Sequence, residues 1–400
     1  MIKLHNLSGV LGRFIFVKME SLNPGGTGKD RAALSMIRSA EEANELPQPV
    51  SEQTRSKQSG PIFSVGNNDS NGTTNTRNGH GQDKLTASIV EAMKRSRSGG
   101  LVIEGTSGST GISLATLSVA RGHACIVVLP DDQALEKQRI LRTLGAVVHV
   151  VPNCAISNPN HYVNVARQIA EIARKQHSIR AVFINQFENE SNFKIHHSTT
   201  GPEVYRQCPN LDAFVMSSGT GGTIAGVGTY LKSQQPNCRI VLVDPPGSAL
   251  YHKIKHGIVY APQQRERALK RHRYDTLAEG IGLDRLTHNF QLGLDCIDDA
   301  VRVTDQEAVD MAHYLLKTEG LWVGSSSSMN VVGAVRTAAS LPKGSTVVTV
   351  ICDGGQRHVT RFWNRDFIVK WGLRWPGDNS MDTNAATDET MPDCVVECKR

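Results

Sequence analysis

Three loops of this 400-residue chain concentrate the residue types that do chemistry. In Asn23-Pro-Gly-Gly-Thr-Gly-Lys29-Asp30-Arg31 a lysine follows a glycine-rich turn, where its amine can act as nucleophile or base. A P-loop would need Gly-x4-Gly-Lys-Ser/Thr. Asn23 stands at its first glycine and Asp30 replaces its magnesium-binding hydroxyl, so that reading fails at two positions. Thr106-Ser107-Gly108-Ser109-Thr110-Gly111 offers hydroxyls and backbone N–H groups at the entry to an apolar helix, Ile112–Ala120. Such an entry favours a carboxylate. Ser218-Gly219-Thr220-Gly221-Gly222-Thr223 repeats the arrangement after an apolar strand, and its successive glycines let amides form an anion nest. Ile224 occupies the third-glycine position of a dinucleotide fingerprint, which points to a smaller, mononucleotide-sized phosphate ligand. Taken singly, each loop also fits a plain turn: a surface lysine, a common helix entry, a glycine turn between strand and helix.

Two more polar loops, Gly324-Ser-Ser-Ser-Ser328 and Ile351-Cys-Asp-Gly-Gly355, fall at strand or helix ends. In open α/β sheets ligands collect at the carboxyl ends of strands, so several such loops point to one shared site. No metal site is expected. His196 and His197 are neighbours without an HExxH or a third ligand, and all fourteen histidines read as structural or surface. A nucleophilic serine lacks the G-x-S-x-G elbow.

The elements that must position these loops alternate. Strands are predicted at Phe14–Lys18, Leu101–Ile103, Ala124–Leu129, Val147–Val151, Ala181–Asn185, Phe214–Ser217, Arg239–Val243 and Val347–Cys352. Helical patterns run from Asp30, placed as an N-cap, to about Asn44, and over Ile89–Arg95, Val163–Lys175 and Asp305–Thr318. Near-continuous apolar strands alternating with helices imply mostly parallel sheets covered on both faces. The expected division is an N-terminal α/β domain over 1–190, a C-terminal α/β domain over 191–375 and a disordered tail over 376–400. Residues 47 to about 84 are polar, with few large apolar side chains, and read as a disordered insertion.

The net charge of +6 is mild and suits anionic small molecules rather than nucleic acid. Eight cysteines without a C-x-x-C pair argue against a zinc cluster or disulfide framework and for a reducing compartment. No stretch approaches the ~20 apolar residues of a membrane span. Met1–Met19 has basic and no acidic residues, a weak mark of mitochondrial targeting, while its apolar strand reads better as part of the fold.

In this order the loops resemble the cysteine synthase/cystathionine β-synthase family, a branch of the fold-type-II pyridoxal-phosphate (PLP) enzymes. The motifs are the Lys29 loop, Glu104-Gly-Thr-Ser-Gly-Ser-Thr-Gly111, Gln186-Phe-Glu-Asn189 with Thr200-Gly-Pro-Glu203, Gly219–Thr223, Glu279-Gly-Ile-Gly282 and Gly324–Ser328. They span the chain to about residue 370 apart from the insertion. The resemblance implies a tryptophan synthase β-like fold of two α/β domains and PLP carried on Lys29. It implies phosphate binding by Gly219, Thr220, Gly221, Gly222 and Thr223, with Ser109 and Ser326 also meeting the cofactor. Thr106, Ser107, Gly108, Thr110 and Gln186 would hold the substrate carboxylate. The implied reaction is β-replacement, forming L-cysteine from O-acetyl-L-serine and sulfide through an aminoacrylate. A related β-synthase or desulfhydrase acting on serine or cysteine, or a PLP-binding regulatory homologue, are the alternatives. A homodimer in the cytoplasm, or alternatively the mitochondrion, is the expected setting. The chain departs from the family at Ser109, where asparagine is usual, and at Ser328, where glycine is usual. The family's Gly-Asn-Thr-Pro segment, expected just before residue 1, does not occur in it.

Overall fold

The computed structural model describes residues 1–49, 79–106, 108–133, 135–261, 276–377 and 391–397. Strands are numbered in chain order: β1 (Ile2–Lys3), β2 (Phe14–Met19), β3 (Gly100–Gly105), β4 (Ala124–Pro130), β5 (Val147–Val151), β6 (Arg180–Phe183), β7 (Ala213–Ser217), β8 (Arg239–Asp244), β9 (Asp299–Arg302) and β10 (Thr346–Ile351). Contacts divide the chain into two units. The larger takes Met1–Gly28 and the described residues from Phe187 onward, and the smaller takes those of Lys29–Gln186.

The larger unit is built on a six-stranded sheet in the order β1-β2-β10-β7-β8-β9. All neighbours are parallel except the edge pair β1 and β2. Alternation along each strand feeds two cores. Val215, Val241 and Val347 pack with Met329, Val332 and Val335 of the helix Ser325–Ala339. Phe214, Met216, Leu242 and Val348 pack with Ile224, Val227 and Leu231 of the helix Gly222–Gln234. Burial on both faces is why these strands read as apolar runs rather than alternating ones.

The smaller unit has a four-stranded parallel sheet, β5-β4-β3-β6, whose central strands β3 and β4 are buried throughout. On one face Val102, Cys125 and Val127 meet the helices Lys29–Glu42 and Ser109–Arg121 through Ala33, Met36, Ile37, Ile112 and Leu114. On the other, Leu101, Ile103, Ile126 and Val128 meet Ile89 of the helix Gly79–Met93 and Val165 and Ile169 of the helix Tyr162–His177.

This is the α/β architecture of mostly parallel, helix-covered sheets, with four corrections to the expected layout. Met1–Gly28 joins the larger unit rather than a domain of 1–190, because β2 pairs with β10 along its whole length, from Phe14 opposite Thr346 to Met19 opposite Ile351. Asp30 is not an N-cap: the helix already begins at Lys29. The insertion expected over 47–84 ends early, since the helix Gly79–Met93 starts inside it; its remainder from residue 50 to 78 lies outside the described residues. Nor is the stretch after 376 all tail. Asp393–Glu397 forms a helical turn whose Cys394 and Val395 are buried in the core around Ser325–Ala339. Among the described residues no helix is long and apolar enough to cross a membrane.

Candidate active site

In the smaller unit the carboxyl end of β3 turns directly into the Thr106–Gly111 loop. Gly105 must be glycine, because a Cβ there would come within 2.6 Å of the Tyr162 carbonyl oxygen. Buried Thr106 closes the turn: its amide donates to Val128 O at 3.0 Å and its hydroxyl accepts from Gly108 N at 3.2 Å. Ser107 lies outside the described residues. Ser109 is half-buried and opens the helix Ser109–Arg121, which has no side-chain cap; in its first turn Gly111 N donates to Gly108 O at 3.2 Å. Thr110 donates from its hydroxyl to Gln186 Oε1 at 2.6 Å, bringing together two of the residues expected to hold a carboxylate.

Glu104 stands behind that pair. It is fully buried, and Gln186 Nε2 donates to its Oε1 at 3.4 Å, while Oε2 has no partner among the described residues. Burial pushes the Glu104 carboxyl up to about 8, against the pull of the Gln186, Asn185 and Gly105 amides. Asn185, at φ 54°, turns the chain so that Gln186 follows β6 into this corner. Lys29 is half-buried as the first residue of its helix, and Ser113 Oγ donates to the neighbouring Asp30 Oδ1 at 2.6 Å.

The larger unit carries the other loops at the carboxyl ends of its own strands. Ahead of Lys29, Asn23 Nδ2 donates to Glu20 Oε2 (2.7 Å) and to Thr27 O (3.1 Å). Gly28 N donates to Cys352 O at 3.4 Å, and Thr27 bridges to Asp353. The turn is therefore pinned to the end of β10. After β7 the loop Ser218–Gly221 leads into the helix Gly222–Gln234. A Cβ on Gly219 would strike the Gly280 carbonyl oxygen, one on Gly222 would strike Asn192 Oδ1, and Gly221, at φ 87°, faces Phe290 at 2.5 Å. Thr220 Oγ1 accepts from Asn192 Nδ2 at 2.9 Å and its carbonyl accepts from Thr287 Oγ1 at 2.7 Å. Thr223 Oγ1 lies 3.1 Å from His196 Nε2.

Three of the four serines of Gly324–Ser328 use their hydroxyls internally. Ser325 accepts from Glu279 N, Ser327 donates to Asp353 O, and Ser328 donates to Ser325 O. Ser326, 7% exposed, has no such partner among the described residues. A glycine nest at a helix N-terminus suits a phosphate, and an uncommitted buried hydroxyl suits an aromatic ring nitrogen. The donor set fits PLP.

Residues 82–353 match the family described as pyridoxal-phosphate dependent enzyme. The chain belongs to that family. Within the PLP enzymes it is 42% identical to cysteine synthase 2 of Schizosaccharomyces pombe, over 96% of this chain and 85% of the relative. A Saccharomyces cerevisiae protein provisionally named a mitochondrial cysteine synthase is 40% identical, over 91% and 81%. Rabbit cystathionine β-synthase is 33% identical over 73% of this chain and half of its own length. The crystal structure of O-ureido-L-serine synthase superposes with a TM-score of 0.64 at 25% identity, covering 88% of this chain and 87% of that one. These relatives place this PLP enzyme in the cysteine synthase branch. Its cofactor is pyridoxal 5′-phosphate.

Sequence reasoning missed Glu104 as a buried acid, the Ser113–Asp30 bond and the approach of His196 to Thr223. The first two join residues about eighty positions apart and leave no local mark.

Proposed function

We propose that this PLP enzyme forms L-cysteine from O-acetyl-L-serine and sulfide by β-replacement, releasing acetate. The observation that carries the reading is Ser326, the serine of its loop with an uncommitted hydroxyl, together with the cysteine synthase names of the fungal relatives. When bound, PLP supplies the electron sink that makes the Cα proton of an amino acid removable. A neutral hydroxyl at Ser326, unlike a carboxylate, would leave the ring nitrogen uncharged, which suits elimination at Cβ.

Lys29 is the residue we assign to carry the cofactor. Its amine, when free, would take the Cα proton and later return it to the same carbon. Gly219, Thr220, Gly221, Gly222 and Thr223 would hold the phosphate, and Ser109 would also meet the cofactor. Thr106, Ser107, Gly108, Thr110 and Gln186 orient the substrate carboxylate, using first-turn amides of the helix Ser109–Arg121. The Cβ–O bond to acetate breaks, and sulfide forms the new Cβ–S bond. Cysteine production from O-acetylserine and sulfide by the purified PLP-loaded protein tests the reading. Cystathionine from serine and homocysteine, with no cysteine from O-acetylserine, would transfer the assignment to a β-synthase; PLP binding without either activity would favour a regulatory homologue.

A homodimer is proposed on the family resemblance, and light scattering at twice the chain mass tests it. We place the enzyme in the cytoplasm. The name of the Saccharomyces relative supports the mitochondrion as the alternative, and imaging of a tagged protein decides.

A further inference from the structure

His196 opens a π-helical turn, His196–Thr200, between the helices Ser191–Ile195 and Gly201–Gln207. Such turns are rare and re-aim side chains where a regular helix would not. The turn lies against the phosphate-loop helix at the closest approach glycine permits. A Cβ on Gly226 would sit 2.6 Å from Phe193 O and 2.9 Å from His196 Cβ. His196 is 1% exposed, with Nδ1 2.9 Å from Thr200 Oγ1 and Nε2 3.1 Å from Thr223 Oγ1.

A threonine hydroxyl has one proton to give. If Thr223 donated it to His196, only lone pairs would face an anion on the loop. If His196 donates Nε2–H to Thr223, the Thr223 proton is free for that anion, and Nδ1 must then accept from Thr200. We infer that His196 is a positioning residue for the cofactor phosphate: held as the Nε2–H tautomer by Thr200, it aims the hydroxyl proton of Thr223 at the phosphate. This rests on the reading that Gly219–Thr223 bind that group.

The test separates aiming from packing. A glutamine at 196 can place its amide nitrogen where Nε2 stands, whereas an asparagine reaches only the Nδ1 position. Affinity of the apo protein for PLP, followed by equilibrium dialysis alongside melting temperature, is expected to stay within about threefold of the parent in His196→Gln and to fall about tenfold in His196→Asn. Thr223→Val is expected to weaken PLP by a similar factor, and His196→Asn added to it to weaken it no further. Equal losses in His196→Gln and His196→Asn, or losses that multiply in the double variant, would overturn the inference while leaving the phosphate loop intact. Unchanged affinity in Thr223→Val would defeat the loop reading and the inference together. Should the His196 variants not fold, 15N spectra of the imidazole in the unaltered holoenzyme still decide. A protonated Nε2 is expected, and a protonated Nδ1 with bare Nε2 would contradict it.

Discussion

Ser113 Oγ donates to Asp30 Oδ1 at 2.6 Å, and both side chains are buried. The helix that starts at Lys29 is thereby tied to the helix that starts at Ser109, so the proposed catalytic amine and the proposed carboxylate loop share one rigid support. Removing this bond leaves a buried carboxylate short of a partner, at a cost of about 1–3 kcal/mol. We predict that Ser113→Ala lowers the melting temperature and cuts kcat about tenfold, because a small displacement of a reacting group is expensive. Lost stability with unchanged turnover would mean that the bond only supports the fold.

Glu104 makes the fold sensitive to pH. Its folded-state value, about 8, lies above the ordinary 4.5, so the folded protein keeps a proton that the unfolded chain has lost. Its contribution to stability is therefore present at pH 4 and declines as pH rises through the interval up to about 8. Buried Asp244, raised to about 7, adds the same trend in parent and variant alike and cancels between them. Glu104→Gln is predicted to match the parent near pH 4 and to exceed it by a few kcal/mol near pH 8. Denaturant midpoints against pH for both proteins check this, and parallel curves would contradict it.

The glycine cradle separates space from backbone freedom. Gly221 and Gly257 both have positive φ, 87° and 74°, but a Cβ on Gly221 would meet Phe290 at 2.5 Å while one on Gly257 would meet nothing within 4 Å. Gly257→Ala is predicted to cost about 1–2 kcal/mol of strain and to keep PLP. Gly221→Ala is predicted to lose PLP on desalting, read from the absorbance of the bound cofactor. Retention by both would remove this loop from the site.

The glycine-rich turns between strand and helix were legible in the sequence because strand, small residues and helix follow one another locally. The sheets were legible because buried parallel strands are apolar runs. What stayed hidden was set at a distance. Asp30 has the chemistry of an N-cap, but its carboxyl is taken by Ser113, and the helix begins one residue earlier. The helix Gly79–Met93 starts in polar sequence and is held by Ile89 and its apolar neighbours further on. Cys394 and Val395 are too short a signal to mark a buried turn. The adjacency of His196 and His197 argued against a shared site, yet successive helical residues point different ways. His196 turns to Thr223, while the His197 ring lies 5.9 Å from that of Phe193.

Ser109 opens its helix where the family usually has asparagine. If a longer amide there hydrogen-bonds the cofactor ring, the gain is roughly 0.5–1.5 kcal/mol. Ser109→Asn is predicted to raise turnover of O-acetylserine by up to about tenfold. A fall, with activity kept on another β-substituted amino acid, would show that Ser109 serves a different substrate.

The central claim is that Lys29 carries PLP. Borohydride reduction of the PLP-loaded protein followed by peptide mapping measures it directly, since reduction fixes the cofactor to the amine it is bonded to. The label is expected on Lys29 and is expected to disappear in Lys29→Ala; a label on any other lysine would contradict the assignment.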